Sequence, residues 1–297
     1  MTKTAWVFPG QGSQAVGMGV DLKDIPTART KLETASEILG WSILDICQGE
    51  EETLSRTLYT QPCLYTIESI LADLLVARVG LPNLLAGHSL GEYVALYTAG
   101  VFDFESGLRL VKRRAELMDT AAGGKMAALM KFDRQQLEKS LEKTPGVVLA
   151  NDNSAAQVVI SGTPEAVDTI LSQVKARKQV TLKVGGAFHS PLMEKAATEF
   201  EAVLKLVNFV NAKIPLLSNV NPSAQINGAE LKQRLIQQMT GTVRWREIML
   251  ELPKEEITAV VEVGPGKVLT GLLKRTYPEV NLNNISRFED INNFQQK

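Results

Sequence analysis

Gly87-His88-Ser89-Leu90-Gly91 fits the G-x-S-x-G pattern of a nucleophile elbow. A serine on a tight turn between a strand and a helix needs small neighbours on both sides, because the backbone is strained and the hydroxyl has to project outward. The N–H that follows the serine is then free to stabilise an oxyanion. A structural turn is the alternative reading, since three fixed positions in five recur by chance. The serine needs a base, and the chain has two histidines. His88 adjoins Ser89 at an extended strand end, where neighbouring side chains point to opposite faces, so it is badly placed to take the proton. His189, in Gly185-Gly186-Ala187-Phe188-His189-Ser190-Pro191, can reach the elbow from elsewhere in the fold. Ser–His pairs are defined by spatial role and not by sequence adjacency. A solvated loop histidine is its plainer alternative.

Arg114 is the third feature. On a helix from about Ser106 to Thr120, residues advance by about 100° each. Leu108, Leu110, Val111, Ala115, Leu117 and Met118 fall on one arc, and Arg114 falls among them. A guanidinium on an apolar arc must be paired or must snorkel outward. An internal salt bridge satisfies that demand. A substrate carboxylate gripped by two N–H groups satisfies it too, and arginine suits that better than lysine. Gly10-Gln11-Gly12-Ser13-Gln14-Ala15 follows a strand-like run and matches G-x-G-x-x-A. A dinucleotide fold expects a second strand ending in an acidic residue about 20 residues on, whereas 27–39 has helical character, so a nicotinamide site is not expected. The glycines can instead expose the Gln11 N–H toward the elbow as a second oxyanion donor. Gly264-Pro265-Gly266-Lys267 lacks phosphate-loop spacing.

The elements that must position these residues alternate. Thr4–Phe8 and Leu84–Ala86 are predicted strands, and 27–39, 61–79 and 106–120 are predicted helices, which implies a mainly parallel sheet. Between 125 and 184 the rhythm changes. Strands at 125–130, 147–151, 157–162 and 179–184 and helices at 133–143 and 164–174 give β-α-β-β-α-β, the ferredoxin-like order. Thr163-Pro164 supplies an N-cap and a first-turn proline for the second of those helices. Ile257–Val263 and Lys267–Arg275 complete the pattern. The expected fold class is α/β: an α/β-hydrolase-like large domain, 1–124 and 191–297, with a mainly parallel sheet, carrying an inserted ferredoxin-like subdomain at 125–190.

Composition bounds the rest. The 297 residues hold 32 Lys+Arg against 33 Asp+Glu, a formal charge of −1, with 44% hydrophobic and 22% charged residues. That is ordinary globular composition, and no charge excess points to nucleic acid or an anionic membrane as partner. Two cysteines, Cys47 and Cys63, without a CxxC arrangement make a zinc site or a disulfide framework unexpected. No long apolar run appears, so neither a signal peptide nor a membrane span is expected, and a cytoplasmic location is. Monomer is the default oligomeric state.

With these pieces placed, the chain resembles the malonyl-CoA:acyl-carrier-protein transacylases of bacterial fatty-acid synthesis and the related acyltransferase domains of polyketide synthases. The segments that carry the resemblance are Phe8–Gln14, Gly87–Glu92, the helix bearing Arg114, Asn153 with Gln157–Ile160, Phe188–Ser190, Val243–Trp245 and Glu262–Leu269. They span essentially the whole chain in family order. The resemblance implies a cofactor-free, two-step transfer. Ser89 attacks malonyl-CoA with His189 as base, and the phosphopantetheine thiol of acyl carrier protein then takes the malonyl group. It implies backbone N–H groups of Gln11 and Leu90 as oxyanion donors, Arg114 on the malonyl carboxylate, and a main-chain carbonyl near 243–245 orienting the imidazole. Phe188 beside the histidine goes with malonyl over methylmalonyl in related domains, a preference worth about 1–3 kcal/mol. An acidic carrier implies a basic rim, for which Lys112, Arg113, Lys183 and Lys267 are candidates. A thioesterase shares the elbow and base, and a non-catalytic carrier-docking module is the alternative from another class. Arg114 and the insert favour transfer over hydrolysis.

Overall fold

The computed structural model describes residues 2–121 and 123–295. Among them ten strands follow in chain order: β1 (Thr4–Phe8), β2 (Leu84–Gly87), β3 (Lys125–Phe132), β4 (Val147–Ser154), β5 (Gln157–Gly162), β6 (Ala176–Thr181), β7 (Leu216–Leu217), β8 (Ala224–Gln225), β9 (Ala259–Val263) and β10 (Asn281–Ile285). They form two sheets, a six-stranded one in the order β10-β9-β1-β2-β7-β8 and a four-stranded one in the order β4-β5-β3-β6. Every pairing in the first is parallel except β7 with β8. The second is antiparallel throughout. The fold is thus mixed α/β, a mainly parallel sheet with a separate antiparallel one.

The central strands of the parallel sheet, Thr4-Ala-Trp-Val-Phe8, Leu84-Leu-Ala-Gly87 and Ala259-Val-Val-Glu-Val263, are buried along their whole length. Such near-continuous apolar runs, interrupted only by the buried Thr4 and Glu262, are what a sheet covered on both faces requires. The polar β10, Asn281-Leu-Asn-Asn-Ile285, gives no such signal, and at the sheet edge it needs none. The helix Thr57–Val79 is buried nearly all round over its first four turns. The helix Phe104–Asp119 opens on Asp103, whose side chain accepts from the Ser106 N–H at 2.7 Å, and buries the predicted apolar arc together with Arg114.

In the antiparallel sheet, alternation separates two cores. Ala127, Leu129, Val158 and Ile160 pack under the helices Arg134–Lys143 and Pro164–Gln173, while Met126, Ala128 and Val159 face the main core. Thr163 caps the second of these helices, accepting from Ala166 N–H at 3.2 Å. The last strand differs from expectation. The ladder of β6 with β3 runs from Ala176 opposite Phe132 to Thr181 opposite Ala127, not over 179–184. Val180, Leu182 and Val184 alternate as a strand would, but the alternation continues past the ladder into a cavity wall. The Val243 segment bolts this sheet to the rest of the molecule: Val243 N–H donates to Ala150 O and Asp152 N–H to Val243 O, at 2.8 and 2.9 Å.

Candidate active site

Ser89 sits between β2 and the helix Gly91–Thr98 with φ 51°, the left-handed conformation the elbow imposes on a non-glycine residue. The flanking glycines allow it. A Cβ on Gly87 would lie 2.0 Å from the Gly91 carbonyl, and one on Gly91 2.1 Å from Phe8 O. The turn is pressed against β1 with no room for side chains. Ser89 Oγ lies 2.8 Å from His189 Nε2, across 100 residues of sequence. His189 also holds a positive φ, 58°, in the loop that leaves the antiparallel sheet. His88 turns away, its Nε2 2.8 Å from Asn153 Oδ1 and its ring beside Trp245.

The His189 Nδ1 stands 2.9 Å from Gln238 O and 3.2 Å from Gly241 O. Both partners are carbonyls, so Nδ1 carries the proton and Nε2 presents its lone pair to Ser89. The orienting carbonyls precede the expected 243–245 stretch, which is committed to β4 as described above. Burial, and then the nearby Arg114 charge, push the His189 pKa down to about 3, so the imidazole is neutral.

Arg114 is fully buried. Its Nη1 donates to Gln61 Oε1 at 2.7 Å, and its Nη2 to Ser89 Oγ at 3.0 Å and Gln238 Oε1 at 3.3 Å. The guanidinium lies over the Tyr93 ring, and its Nε is buried without a partner. None of these acceptors is a carboxylate, so the internal salt bridge weighed from sequence is not what holds this charge.

The Ser89 N–H donates to Asn219 Oδ1 at 2.7 Å. The next one, on Leu90, and that of Gln11 have no acceptor among the described residues. Both residues line the same cleft as Ser89, His189 and Arg114, a space of about 280 Å³. Met118, Met126, Met130, Val159, Phe188 and Leu272 give it apolar walls, with Gln61, Asn151, Asn153 and Gln157 as polar members of the lining. Phe188 thus borders the dyad, 5% exposed. Of the basic candidates, Lys112 donates to Ile38 O on a neighbouring helix, and Arg113 pairs with Glu116 on its own helix and Glu199 on another, so both are engaged within the protein. Lys267 precedes the cleft residue Val268, and Lys183 lies between the cleft residues Leu182 and Val184.

Four residues escaped the sequence reading. Gln61 and Gln238 receive Arg114. Asn219 holds both ends of the elbow, its Nδ2 donating to Gly87 O at 2.6 Å. Glu92, 1% exposed, accepts from Gln238 Nε2 at 2.7 Å and Asn219 N–H at 3.2 Å. Glu92 belongs to the elbow segment, but the amides lie 28 residues upstream and 130 to 149 residues downstream, without local pattern. Among the described residues no three His, Cys, Asp or Glu side chains gather as metal ligands, and no helix is long and apolar enough to cross a membrane.

One cleft thus gathers a serine at positive φ, a buried imidazole beside it and a guanidinium without an anionic partner. Residues 5–295 match the acyl transferase domain family, and the chain belongs to it; it is an acyltransferase. Within the family it is 59% identical over 290 residues to the malonyl CoA-acyl carrier protein transacylase of Synechocystis sp., covering 98% of this chain and 99% of that one. It is 40% identical over 279 residues to the polyketide biosynthesis malonyl CoA-acyl carrier protein transacylase PksC of Bacillus subtilis, covering 91% and 96%. The crystal structure of the Synechocystis transacylase superposes with a TM-score of 0.97 at 59% identity, over 99% of this chain and 100% of the other. A type II polyketide malonyl-transacylase solved in complex with its acyl-carrier protein superposes at 0.92, with 33% identity and 98% of each chain covered.

Proposed function

We propose that this chain moves malonyl groups from malonyl-CoA to the phosphopantetheine thiol of acyl carrier protein through an ester on Ser89, supplying malonyl-ACP for fatty-acid synthesis. The observation that carries the reading is the shared contact at Ser89 Oγ: His189 Nε2 at 2.8 Å on one side and Arg114 Nη2 at 3.0 Å on the other. A malonyl ester on that oxygen carries its carboxylate two carbons further on, within reach of a guanidinium already beside the attachment point. The buried, unpartnered Nε of Arg114 is a desolvated donor that a carboxylate would satisfy.

In the first step Ser89 Oγ attacks the thioester carbonyl and its proton passes to His189 Nε2. The C–S bond breaks and the CoA thiolate leaves with that proton. In the second, His189 takes the carrier thiol's proton, the thiolate attacks the ester, and Ser89 regains its hydroxyl. The N–H groups of Gln11 and Leu90 stabilise the oxyanion in both. The atoms balance without a cofactor. Residues 125–190, read as an inserted subdomain, bring one wall of the cleft and the base to the elbow. Phe188 fills the wall beside the dyad and favours malonyl over a branched acyl group. We place the reaction in the cytoplasm, by a monomer.

Intact-mass measurement after mixing with malonyl-CoA tests the route. The protein gains one malonyl group and loses it to added carrier protein, and Ser89→Ala gains none. An adduct on Ser89→Ala, or malonyl released to buffer with none on the carrier, overturns it, the latter in favour of a thioesterase.

A further inference from the structure

Arg114 brings a full positive charge to a site with no exposure and surrounds it with neutral acceptors: Ser89 Oγ, Gln61 Oε1 and Gln238 Oε1. The same Ser89 Oγ stands 2.8 Å from His189 Nε2. A proton arriving on Nε2 is therefore only one oxygen atom away from an uncompensated guanidinium. Arg114 and His189 are both buried, so that repulsion is weakly screened.

Among the described residues no group that faces this pair makes an ion pair with Arg114. From the helix Gly91–Thr98, Tyr93 offers its ring face to the guanidinium. Glu92 on that helix accepts from Gln238 and Asn219 and not from Arg114; burial raises its pKa, while those hydrogen bonds and the Arg114 charge act the other way. From the elbow, His88 is a further basic group, turned to Asn153. The loop 238–241 contributes only carbonyls and the Gln238 amide.

We propose that Arg114 holds the Ser89–His189 dyad in check until a substrate carboxylate occupies the guanidinium, so that a malonyl thioester switches on the base that transfers it. This rests on the transacylase reading above. The carboxylate draws Nη2 off Ser89 Oγ and supplies the missing negative charge, so the proton moving from Oγ to Nε2 no longer meets a bare cation. Direction and cause agree with the depressed basicity of His189, in which Arg114 is the largest contribution after burial. Malonyl and acetyl groups are then told apart in the chemical step itself, in addition to binding. In the malonyl ester the carboxylate stays on Arg114, so the base remains competent for the carrier thiol, and departure of the product restores the check.

The test is single-turnover acylation of the intact enzyme at saturating malonyl-CoA or acetyl-CoA, read by quenched-flow mass spectrometry between about pH 5 and pH 8. A base brought into the working range gives a malonyl rate that falls by about tenfold per pH unit below its midpoint. The acetyl rate, slower by about a hundredfold or more, stays flat over the same window because the imidazole is neutral throughout. Arg114→Met lifts the check, so its acetyl rate rises and acquires the acid limb. Superimposable pH profiles for the two thioesters, with the malonyl adduct forming on Ser89, overturn the switch and leave the transacylase reading intact. Failure to form any malonyl adduct takes down both. The wild-type comparison decides the matter if Arg114→Met does not fold.

Discussion

Gln238 grips Ser89 from behind, its Nε2 donating to the Ser89 carbonyl at 2.9 Å, while its own carbonyl accepts from His189 Nδ1 at 2.9 Å. One residue thus ties the Ser89 turn to the His189 imidazole, and its Oε1 reaches Arg114 as well. Its main chain holds the imidazole whatever its side chain, while its side-chain amide, together with Asn219, ties the elbow to Glu92.

Gln238→Ala keeps the carbonyl and loses the brace. We expect kcat to fall by about tenfold to a hundredfold with KM little changed, the cost of a nucleophile no longer held in line. Gln238→Glu, which keeps an acceptor for Arg114, should not restore the rate, because it cannot donate to Ser89 O. Steady-state kinetics of both variants, with thermal melts alongside, separate this from a folding defect.

Removing the guanidinium should reverse acyl preference. Arg114→Ala lowers kcat/KM for malonyl-CoA by about a thousandfold, or about 4 kcal/mol of charge-assisted hydrogen bonding. Acetyl-CoA, which has no carboxylate to lose, becomes the better substrate. Equal losses for both thioesters would mean that Arg114 is only a structural brace.

Acid should destabilise the fold partly through His189. Its native pKa of about 3 lies below the ordinary 6.5, so the folded chain binds fewer protons than the unfolded one between those values. Its contribution is fully present above pH 6.5 and is lost as pH falls, by about 1.4 kcal/mol per pH unit. His189→Gln removes that slope. Urea midpoints at pH 7 and pH 5 should draw closer together in the variant than in the wild type.

Glu68 predicts the opposite sign. Its carboxyl is fully buried, neither oxygen has a partner, and burial followed by the charge of Glu262 raises its pKa well above 4.5. Glu262 itself is held by Leu269 and Thr270 N–H groups, the Thr270 hydroxyl and the Asn284 amide. The folded chain therefore keeps a proton on Glu68 that the unfolded one releases, and stability declines as pH rises above 4.5. Glu68→Gln should melt higher than the wild type, with the gap widening from pH 5 to pH 7. A constant gap would show that Glu68 does not titrate as described.

Much of this molecule is local and so could be read along the chain. The elbow glycines, the buried strands 4–8 and 84–87, the Thr163 cap and the helix that buries Arg114 each depend on a few consecutive residues and on helix or strand periodicity. The polar edge strand 281–285 and the two-residue β7 and β8 carry no such period. The displaced β6 shows the limit from the other side, since its alternation is real but serves the cleft wall as well as the ladder.

Ser89, His189 and Arg114 declare themselves in sequence because each breaks a local rule: a serine between glycines at a strand end, a histidine in a glycine loop, a charge on an apolar arc. Gln61, Asn219 and Gln238 break none. Amides are at home almost anywhere, and only the packing of distant segments gives them the elbow, the base and the guanidinium as partners. Residue types and spacing singled out Ser89, His189 and Arg114 as candidates. The tertiary structure settled that Nδ1 meets carbonyls at 238 and 241, that Nε2 meets Ser89, and that Arg114 has no anion of its own, because hydrogen-bond partners and screening are properties of three-dimensional neighbours and not of sequence order.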